Sequence, residues 1–178
     1  MKRGFEVVTK YKDKGINLPY RSTKQAAGYD IEAGVDFVLP SIWKLGFLKV
    51  LWAIKHEKNV SEDEMQRAKD ILRPLLVPTG IKAYMQPDEM LIIANRSSGP
   101  LKRGMVLPNG IGIVDADYYG NESNEGELFV QMTNFGLLDR KIKKGERIAQ
   151  GIFVPFLTTD DDSNKGTKRI GGFGSSGE

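Results

Sequence analysis

The stretch "NGIGIVDADYYG", residues 109–120, places a carboxylate where it could act on water. Asp115 directly follows an apolar run, as a side chain at the end of a strand does. An aspartate is ionised at neutral pH and can take a proton from a water molecule that is held beside it. Asp117 and Tyr118 then lead into a turn. Because aspartate is common in turns, the segment taken alone is more typical of an ordinary turn than of a general base.

A second stretch, "NRSSGPLKRG" at residues 95–104, combines a cation with hydroxyls and glycines. Arg96 stands beside Ser97 and Ser98, and its planar guanidinium group matches the geometry of phosphate oxygens. The small residues around it let backbone N–H groups approach an anion. A polar turn that carries a surface arginine is an equally good interpretation of this segment alone.

Two further segments each carry a polar group that could join such a site. Asp30 lies in "AAGYDIEA", where its carboxylate either faces a metal ion or is solvated on a strand. Gln150 lies in "KKGERIAQG", where its amide either donates to an anion or faces water. The residues alone leave both alternatives open.

The composition excludes several kinds of chemistry. The chain has no cysteine, which rules out disulfides, thiolate nucleophiles, cysteine-ligated zinc and iron–sulfur clusters. It has one histidine, His56, on which any histidine metal site or Ser-His-Asp triad would depend. The remaining chemistry uses carboxylates, hydroxyls, basic side chains and a hard metal ion that prefers oxygen ligands. Lysines and arginines are scattered among acids and the net charge is only +3, so no stable binding of nucleic acid is expected.

The length and the hydropathy pattern predict one domain spanning residues 1–178. The N-terminal segment contains no apolar run of the kind found in signal peptides. No run approaches the roughly 18 apolar residues that a membrane-spanning helix needs. A cytoplasmic setting without membrane contact is therefore expected.

Most of the chain has the pattern of short strands separated by glycine, proline and asparagine. Such spacing predicts a mainly β fold, either a barrel or a sandwich. The candidate strands are "FEVVTKY", "GYDIEAGVDFVLP", "GIKAYM", "MLIIANRSS", "GMVLPNGIGIVDADYYG", "ELFVQMTN" and "RIAQGIFVPF".

Residues 41–76 interrupt this pattern and predict a helical hairpin inserted between two strands. In its first half apolar residues recur at helical spacing, at Leu45, at Leu48 and at Leu51 or Trp52. The second half carries a capping box (Ser61 and Glu64), an apolar stripe (Met65, Ala68, Leu72 and Leu75) and a stop near Arg73, before Pro74. The first helix is apolar over so wide a face that it must pack on its partner helix, the barrel or another chain. We therefore treat the hairpin as a candidate docking surface for a protein partner.

The chain ends in "RIGGFGSSGE", and from about residue 158 onward it has almost no aliphatic content. Glycine and serine runs behave as flexible coil, which predicts a mobile C-terminal arm over about residues 158–178. The arm nevertheless carries a cation, Arg169, an aromatic ring, Phe173, and two adjacent hydroxyls, Ser175 and Ser176.

In chain order, five segments resemble the five motifs of the trimeric dUTPase family (deoxyuridine triphosphate nucleotidohydrolases). They are "AAGYDIEA", "RSSGPLKRG", "NGIGIVDADYYG", "GERIAQ" and "RIGGFGSSG". Five motifs in the right order are far more specific than any one of them. The resemblance implies a distorted jelly-roll-like β-barrel, the dUTPase-like β-clip, assembled as a homotrimer with active sites at subunit interfaces. It also implies Mg²⁺-dependent hydrolysis of dUTP to dUMP and pyrophosphate, by attack of water on the α-phosphorus.

The third motif, by this resemblance, handles the nucleoside and the water. Asp115 is the implied general base, and Tyr118 is expected to lie against the deoxyribose, where it leaves no room for a 2′-hydroxyl. Asn109 and the backbone that follows it, including Gly112, are expected to pair with the edge of the uracil.

The other motifs, by the same resemblance, handle the triphosphate and its metal ion. Arg96, Ser97 and Ser98 are expected to hold phosphates with the help of Gln150, and Asp30 is expected to bind Mg²⁺ through water. The arm is expected to close over the nucleotide: Phe173 stacks on the base, while Arg169 (or its neighbour Lys168) meets the γ-phosphate together with Gly174, Ser175 and Ser176. The insertion at residues 41–76 has no counterpart in the family's minimal pattern.

Three rival functions remain to be weighed. A dCTP deaminase shares the barrel and a similar second motif, but the fifth motif and "IVDADY" favour the dUTPase. A nucleotide sensor that signals through the insertion would need no general base, so Asp115 argues against pure binding. A single-strand-binding barrel requires several exposed aromatic residues along a basic groove, and the sequence contains no such array.

Overall fold

The structure, a computed structural model, describes residues 2–56 and 59–162. Eleven strands follow one another along these residues: β1 (Gly4–Val7), β2 (Tyr29–Glu32), β3 (Phe37–Leu39), β4 (Leu75–Pro78), β5 (Ile81–Tyr84), β6 (Glu89–Ala94), β7 (Met105–Val106), β8 (Ile111–Asp115), β9 (Phe129–Asn134), β10 (Arg140–Ile142) and β11 (Arg147–Pro155). The helices are α1 (Leu45–Lys55), α2 (Glu62–Leu72) and α3 (Ser98–Arg103), with 3₁₀ turns at Thr9–Tyr11 and Ala116–Tyr118. Within these ranges every helix falls short of the length and apolar content that crossing a bilayer requires.

The strands form small antiparallel sheets. The largest has four strands in the order β2-β11-β6-β8, and a three-stranded sheet has the order β4-β9-β7. Two further pairs join β1 to β5 and β3 to β10. The predicted mainly β fold is therefore confirmed, and the four-stranded sheet is the element that positions most of the candidate site.

The hydrophobic core lies against the inner face of the four-stranded sheet. Along β6 the buried side chains alternate with half-buried ones, as expected for a strand with one face on the core. Leu91 and Ile93 point inward and are 0% and 4% exposed, and they pack with Ile31 of β2 and Ala149 of β11. Burial of each leucine or isoleucine side chain contributes about 1.5–3 kcal/mol to the free energy of unfolding, so the sheet is a stable frame for the site.

The outer face of the same sheet also carries apolar side chains, and those on its edge strand remain exposed within residues 2–56 and 59–162. Directly opposed residues of an antiparallel pair lie on the same face, so Ile152, Ile92 and Ile113 form one row across three strands. Ile111 and Ile113 on the edge strand β8 are each 49% exposed. This face is a candidate surface for association with another chain.

The predicted helical hairpin is confirmed between β3 and β4. Ser61 and Glu64 form the expected capping box: the Ser61 hydroxyl accepts from the Glu64 N–H, and the Glu64 carboxylate accepts from the Ser61 N–H. Helix α2 ends at Leu72, as predicted, but Leu75 begins strand β4 and does not extend the helical stripe. Pro74 explains this correction, because the residue before a proline disfavours helical geometry and the chain leaves in an extended conformation.

The apolar face of α1 is only partly covered by the packing of the two helices. Val50 of α1 and Ala68 of α2 are buried at 5% and 4% exposure. On the side of α1 that faces solvent, Leu48, Leu51 and Trp52 remain 42–52% exposed. His56, at the end of this helix, is exposed as expected.

Two elements differ from the predicted strand pattern. The strand predicted over "MLIIANRSS" stops at Ala94, and the following serines lead into the short helix α3, which ends at Gly104 with φ +62°. A side chain at Gly104 would also meet the backbone nitrogen of Gly136 at 2.8 Å, so both conformation and space require glycine there. Strand β10 had no predicted counterpart, because its three residues are too short for a periodic pattern.

Candidate active site

An open pocket of about 390 Å³ gathers four of the residues that the sequence singles out. It lies where β2, the end of β6 and the middle of β11 meet, and Asp30, Arg96, Ser97 and Gln150 line it together with Ser22, Ala26, Ala27, Gly28 and Ile152. Three separate motifs therefore converge on one cavity. Ser97 is exposed there, and Ser98 is half-buried at the start of α3.

Asp30 is the centre of an ion-paired cluster in this pocket. Its Oδ1 accepts a hydrogen bond from Nε of Arg96 at 2.8 Å, and its Oδ2 accepts from Oγ of Ser22 at 2.8 Å and from Nη1 of Arg147 at 3.2 Å. The residue is only 8% exposed. Burial by itself raises the pKa of Asp30, but the Ser22 hydroxyl and the Arg96 and Arg147 guanidinium groups outweigh it, so the pKa lies below its ordinary value.

Gln150 is fixed against both neighbouring strands. Its Nε2 donates to the carbonyl oxygen of Asn95 at 2.9 Å, which ties β11 to the segment that carries Arg96. A side chain at Gly28 would meet Oε1 of Gln150 at 2.6 Å, so the glycine of the first motif leaves the space that the glutamine amide occupies. The amide is thus held at the wall of the pocket.

Asp115 lies at the opposite end of the four-stranded sheet. It is opposed to Met90 of β6, whereas Gln150 is opposed to Ala94 of the same strand, four residues further along. Four residues of strand correspond to about 13 Å, and Arg96 lies beyond Ala94. The Asp115 side chain is exposed and shares the outer face of β8 with the two exposed isoleucines. Within one chain, therefore, Asp115 and the pocket do not form a single site.

Asn109 and Gly112 lie at the start of β8. Asn109 is exposed in a turn that closes when the N–H of Gly110 donates to the carbonyl oxygen of Leu107 at 3.0 Å. A side chain at Gly112 would make only ordinary contacts, with Cβ of Ile93 at 3.5 Å and Nδ2 of Asn109 at 3.7 Å, and Gly112 lies on the edge strand of its sheet. Such an open strand edge can offer backbone groups to the polar edge of a base.

Tyr118 is more deeply buried than the sequence suggests. The side chain is 6% exposed and belongs to the hydrophobic core. Its hydroxyl donates to the carbonyl oxygen of Glu127 at 2.9 Å and accepts from Nδ2 of Asn124 at 2.8 Å. The position of the ring is therefore set by the protein before any ligand binds.

Two residues of the pocket cluster escaped the sequence analysis. Arg147 stands in "GERIAQ", three residues before Gln150, and pairing of β2 with β11 brings it to Asp30. Ser22 lies in an irregular segment whose pattern predicts nothing about its contacts. A cation on a strand that pairs with the strand of a buried acid is the signal that could have identified Arg147. Arg169, Phe173, Gly174, Ser175 and Ser176 lie outside the described residues.

A divalent metal ion has a limited choice of protein ligands in residues 2–56 and 59–162. These ranges contain no group of three or more His, Asp or Glu side chains that could hold a metal ion. The Asp30 carboxylate has the hard oxygen donors that Mg²⁺ prefers, but both of its oxygens already accept hydrogen bonds from cations or a hydroxyl. The donor set therefore fits contact with Mg²⁺ through water and does not fit a closed protein cage.

Comparison with known proteins identifies the family of this chain. The family model "dUTPase" matches residues 66–177. The deoxyuridine 5′-triphosphate nucleotidohydrolase of Lactococcus lactis is 46% identical over 98% of this chain and 97% of its own length. The crystal structure of the dUTPase from Streptococcus mutans superposes with a TM-score of 0.68 at 37% identity, covering 88% of this chain and 98% of that one. A dUTPase variant from a phage of S. aureus, phi11, shares the fold at 14% identity with a TM-score of 0.61, and its structure is described as showing a coordinated Mg(II) ion. This chain belongs to the dUTPase family.

Proposed function

We propose that this protein hydrolyses dUTP to dUMP and pyrophosphate, with the reaction carried out between two copies of the chain. The observation that carries the proposal is the separation of the two halves of the site. The pocket around Asp30 gathers groups that suit phosphates, while Asp115 stands at the far end of the same sheet on an exposed apolar face. Relatives named for dUTP hydrolysis support the choice of substrate.

The pocket provides the phosphate-binding half of the site. Arg96 and Arg147 carry one positive charge each, and Asp30 neutralises one of the two. A net positive charge therefore remains beside Ser97 and Gln150. Phosphoryl transfer depends mainly on positioning and on stabilisation of charge, which fixed guanidinium groups and amides provide. Ser98, at the start of α3, is proposed as a further phosphate contact.

Asp115 is the proposed general base. The carboxylate takes a proton from a water molecule, whose oxygen forms a bond to the α-phosphorus. The bond from the α-phosphorus to the oxygen that bridges to the β-phosphate breaks, and pyrophosphate leaves with that oxygen. The exposed position of Asp115 at the end of β8 allows both water and a phosphate from outside its own chain to reach it.

Mg²⁺ is the proposed cofactor. Asp30 would contact it through water, and the oxygens of the triphosphate would supply its other ligands. When bound, the ion neutralises phosphate charge and so reduces the repulsion between the substrate and a nearby carboxylate.

The outer face of the four-stranded sheet supports assembly of the chain as a homotrimer. Ile92, Ile113 and Ile152 form an apolar row on this face, and Asp115 lies on the same side of β8. Packing of copies on this face would bury the row and bring Asp115 of one copy toward the pocket of another. A homotrimer repeats this contact three times and gives three equivalent sites.

The nucleoside is proposed to bind along β8. Asn109 and the backbone at Gly112 would pair with the uracil, and Tyr118 would limit the space at the sugar. The segment that holds Arg169, Phe173, Gly174, Ser175 and Ser176 would close over the nucleotide, with Phe173 on the base and the remaining groups on the γ-phosphate.

The hairpin of α1 and α2 is proposed as a surface for a protein partner. The side chains of Leu48, Leu51 and Trp52 support this, because they are apolar and remain 42–52% exposed among the described residues. Deletion of residues 41–72 tests it. If the deletion changed neither the free energy of unfolding nor any partner binding, the hairpin would have no such role.

The proposed function is tested by measuring pyrophosphate release from dUTP, dCTP, dTTP and UTP with and without Mg²⁺. Rapid release from dUTP alone, dependent on Mg²⁺, is expected. Release of ammonia from dCTP would instead indicate a deaminase. Binding of dUTP without turnover would indicate a sensor and would contradict the proposal.

A further inference from the structure

The turn that follows Tyr118 is stabilised by several side-chain hydrogen bonds. We call residues 120–127 the Tyr118 support loop. Asn121 organises it: its Oδ1 accepts from the N–H and the hydroxyl of Ser123 and from the N–H of Asn124. The loop therefore holds one conformation without help from a ligand.

Tyr118 is held by this loop at both of its ends. At the backbone end, Nδ2 of Asn121 donates to the carbonyl oxygen of Tyr118 at 2.9 Å. At the far end of the side chain, Nδ2 of Asn124 donates to the phenol oxygen at 2.8 Å, and the phenol donates to the carbonyl oxygen of Glu127 at 2.9 Å. With both ends fixed, the ring cannot swing aside to admit a larger ligand.

The loop is in turn anchored to the body of the protein. The Glu125 carboxylate accepts from Nζ of Lys82 at 2.6 Å and from both the N–H and the hydroxyl of Thr9 at 3.0 Å. These donors, Lys82 above all, hold the pKa of Glu125 at about 2. The Glu127 side chain is fully buried, and Nζ of Lys10 lies 2.5 Å from its Oε2.

The loop backbone also packs directly against the backbone of Tyr118. Gly126 has φ +84°, and a side chain there would meet the carbonyl oxygen of Tyr118 at 2.8 Å. Glycine thus allows the loop to approach closely enough for Asn124 to reach the phenol oxygen.

We propose that Asn124 is a positioning residue that sets the sugar specificity of the enzyme by fixing the Tyr118 ring. The inference rests on the proposed function, in which that ring lies against the deoxyribose. A ring held at both ends excludes a 2′-hydroxyl by steric contact, whereas a ring that can move yields to it. The support loop therefore makes rejection of ribonucleotides a property of the protein's own hydrogen bonds.

The test is the ratio of kcat/KM for dUTP to kcat/KM for UTP. Asn124→Ala lowers this ratio about threefold to tenfold, the size expected for loss of one neutral hydrogen bond. Ser123→Ala, which removes a hydroxyl bonded to Asn121 in the same loop, is the matched control and leaves the ratio unchanged. An unchanged ratio in Asn124→Ala would overturn the proposal.

A double-mutant cycle separates positioning from general damage to the loop. Asn124 also accepts hydrogen bonds from Asn121 and Gly126. Loss of those two bonds would affect the kcat/KM ratio equally whether or not the Tyr118 hydroxyl is present. In the Tyr118→Phe background, Asn124→Ala has no further effect on the ratio if it acts through the hydroxyl. An equal effect in both backgrounds would overturn the proposal.

Tyr118→Phe alone decides the matter if Asn124→Ala fails to fold. The substitution removes both bonds of the phenol and keeps the ring, so it lowers the ratio, and an unchanged ratio refutes the positioning role. Failure of the wild-type protein to hydrolyse dUTP would instead refute the proposed function, and the two failures are thus distinguishable.

Discussion

Asp30 and Asp115 lie on the same four-stranded sheet, but their surroundings differ in every respect that matters for proton transfer. Asp30 is 8% exposed and is paired with two guanidinium groups and a hydroxyl. Asp115 is exposed at the end of the edge strand. Cations stabilise the charged form of the first carboxylate and so weaken it as a base, while the second is open to water and substrate. These different surroundings on one sheet agree with the proposed division of roles, in which Asp30 serves the phosphate end and Asp115 takes the proton.

The largest effect is expected at Asp115. Asp115→Asn keeps the size of the side chain and removes its basicity, so kcat falls by about 10²–10⁴-fold while nucleotide binding persists. Steady-state pyrophosphate release and equilibrium binding of a non-hydrolysable dUTP analogue measure the two quantities. Asp117→Asn, two residues further on and also exposed, is the matched control and retains activity. A near-wild-type rate for Asp115→Asn would remove this residue as the base.

Removal of the C-terminal segment tests whether the active site needs a third element in addition to the pocket around Asp30 and the end of β8 with Asp115. Truncation before Lys168 leaves the described strands intact and removes the proposed γ-phosphate contacts, so activity falls about a hundredfold. Thermal unfolding and light scattering establish that the fold and the assembly persist. Normal turnover by the truncated protein would refute the proposed closure.

A smaller effect, but one on stability as well as on activity, is expected at the pocket. Arg96→Ala leaves the buried Asp30 carboxylate without its closest cation and lowers the free energy of unfolding by about 1–3 kcal/mol. It also raises the KM for dUTP, because a phosphate contact is lost. Denaturant unfolding of both variants tests this difference. Asp115→Asn is expected to change the free energy of unfolding much less than Arg96→Ala does, because Asp115 is exposed. Equal stability of both variants would remove the distinction between the two ends.

The smallest effect concerns pH. The pKa of Asp30 is lowered in the folded state, so the stability that its ionised form contributes is present above the unfolded value of about 3.9 and is lost as the pH falls below it. As the pH falls below about 4, the free energy of unfolding of the wild type therefore falls more steeply than that of Asp30→Asn. Parallel curves for the two proteins would show that the ion-paired cluster does not depend on this carboxylate's charge.

Short apolar strands between turn residues were enough to predict the mainly β fold, and apolar residues at helical spacing were enough to predict the hairpin. The capping box at Ser61 and Glu64 is a local pattern, and it marks the start of α2 correctly. Convergence of Asp30, Arg96 and Gln150 on one pocket was expected from the family resemblance, not from any spacing along the chain. Local sequence patterns therefore predicted the secondary structure, and the family resemblance predicted which residues line the pocket.

Other features depend on register and on contacts between distant segments, and the sequence could not supply them. Arg147 meets Asp30 only because β2 pairs with β11, and the support of Tyr118 by Asn124 depends on how one turn folds back. The separation of Asp115 from the pocket follows from the pairing of β6 with β8 and β11. The first and the last are relations between distant segments, and the second, although its two residues are only six apart, depends on the conformation of a turn, so composition and periodicity encode none of them.

The most direct test of the shared site is complementation between two variants, one without the proposed base and one without a phosphate contact, assayed at a dUTP concentration well below the KM of the second. Chains carrying Asp115→Asn and chains carrying Arg96→Ala are co-expressed with different tags, and the mixed assemblies are isolated and assayed for pyrophosphate release. If each site takes Asp115 from one copy and Arg96 from another, the isolated mixed trimers show about a third of the wild-type activity, because each of them contains one intact site out of three. No activity above that of the separate variants would contradict a site shared between chains.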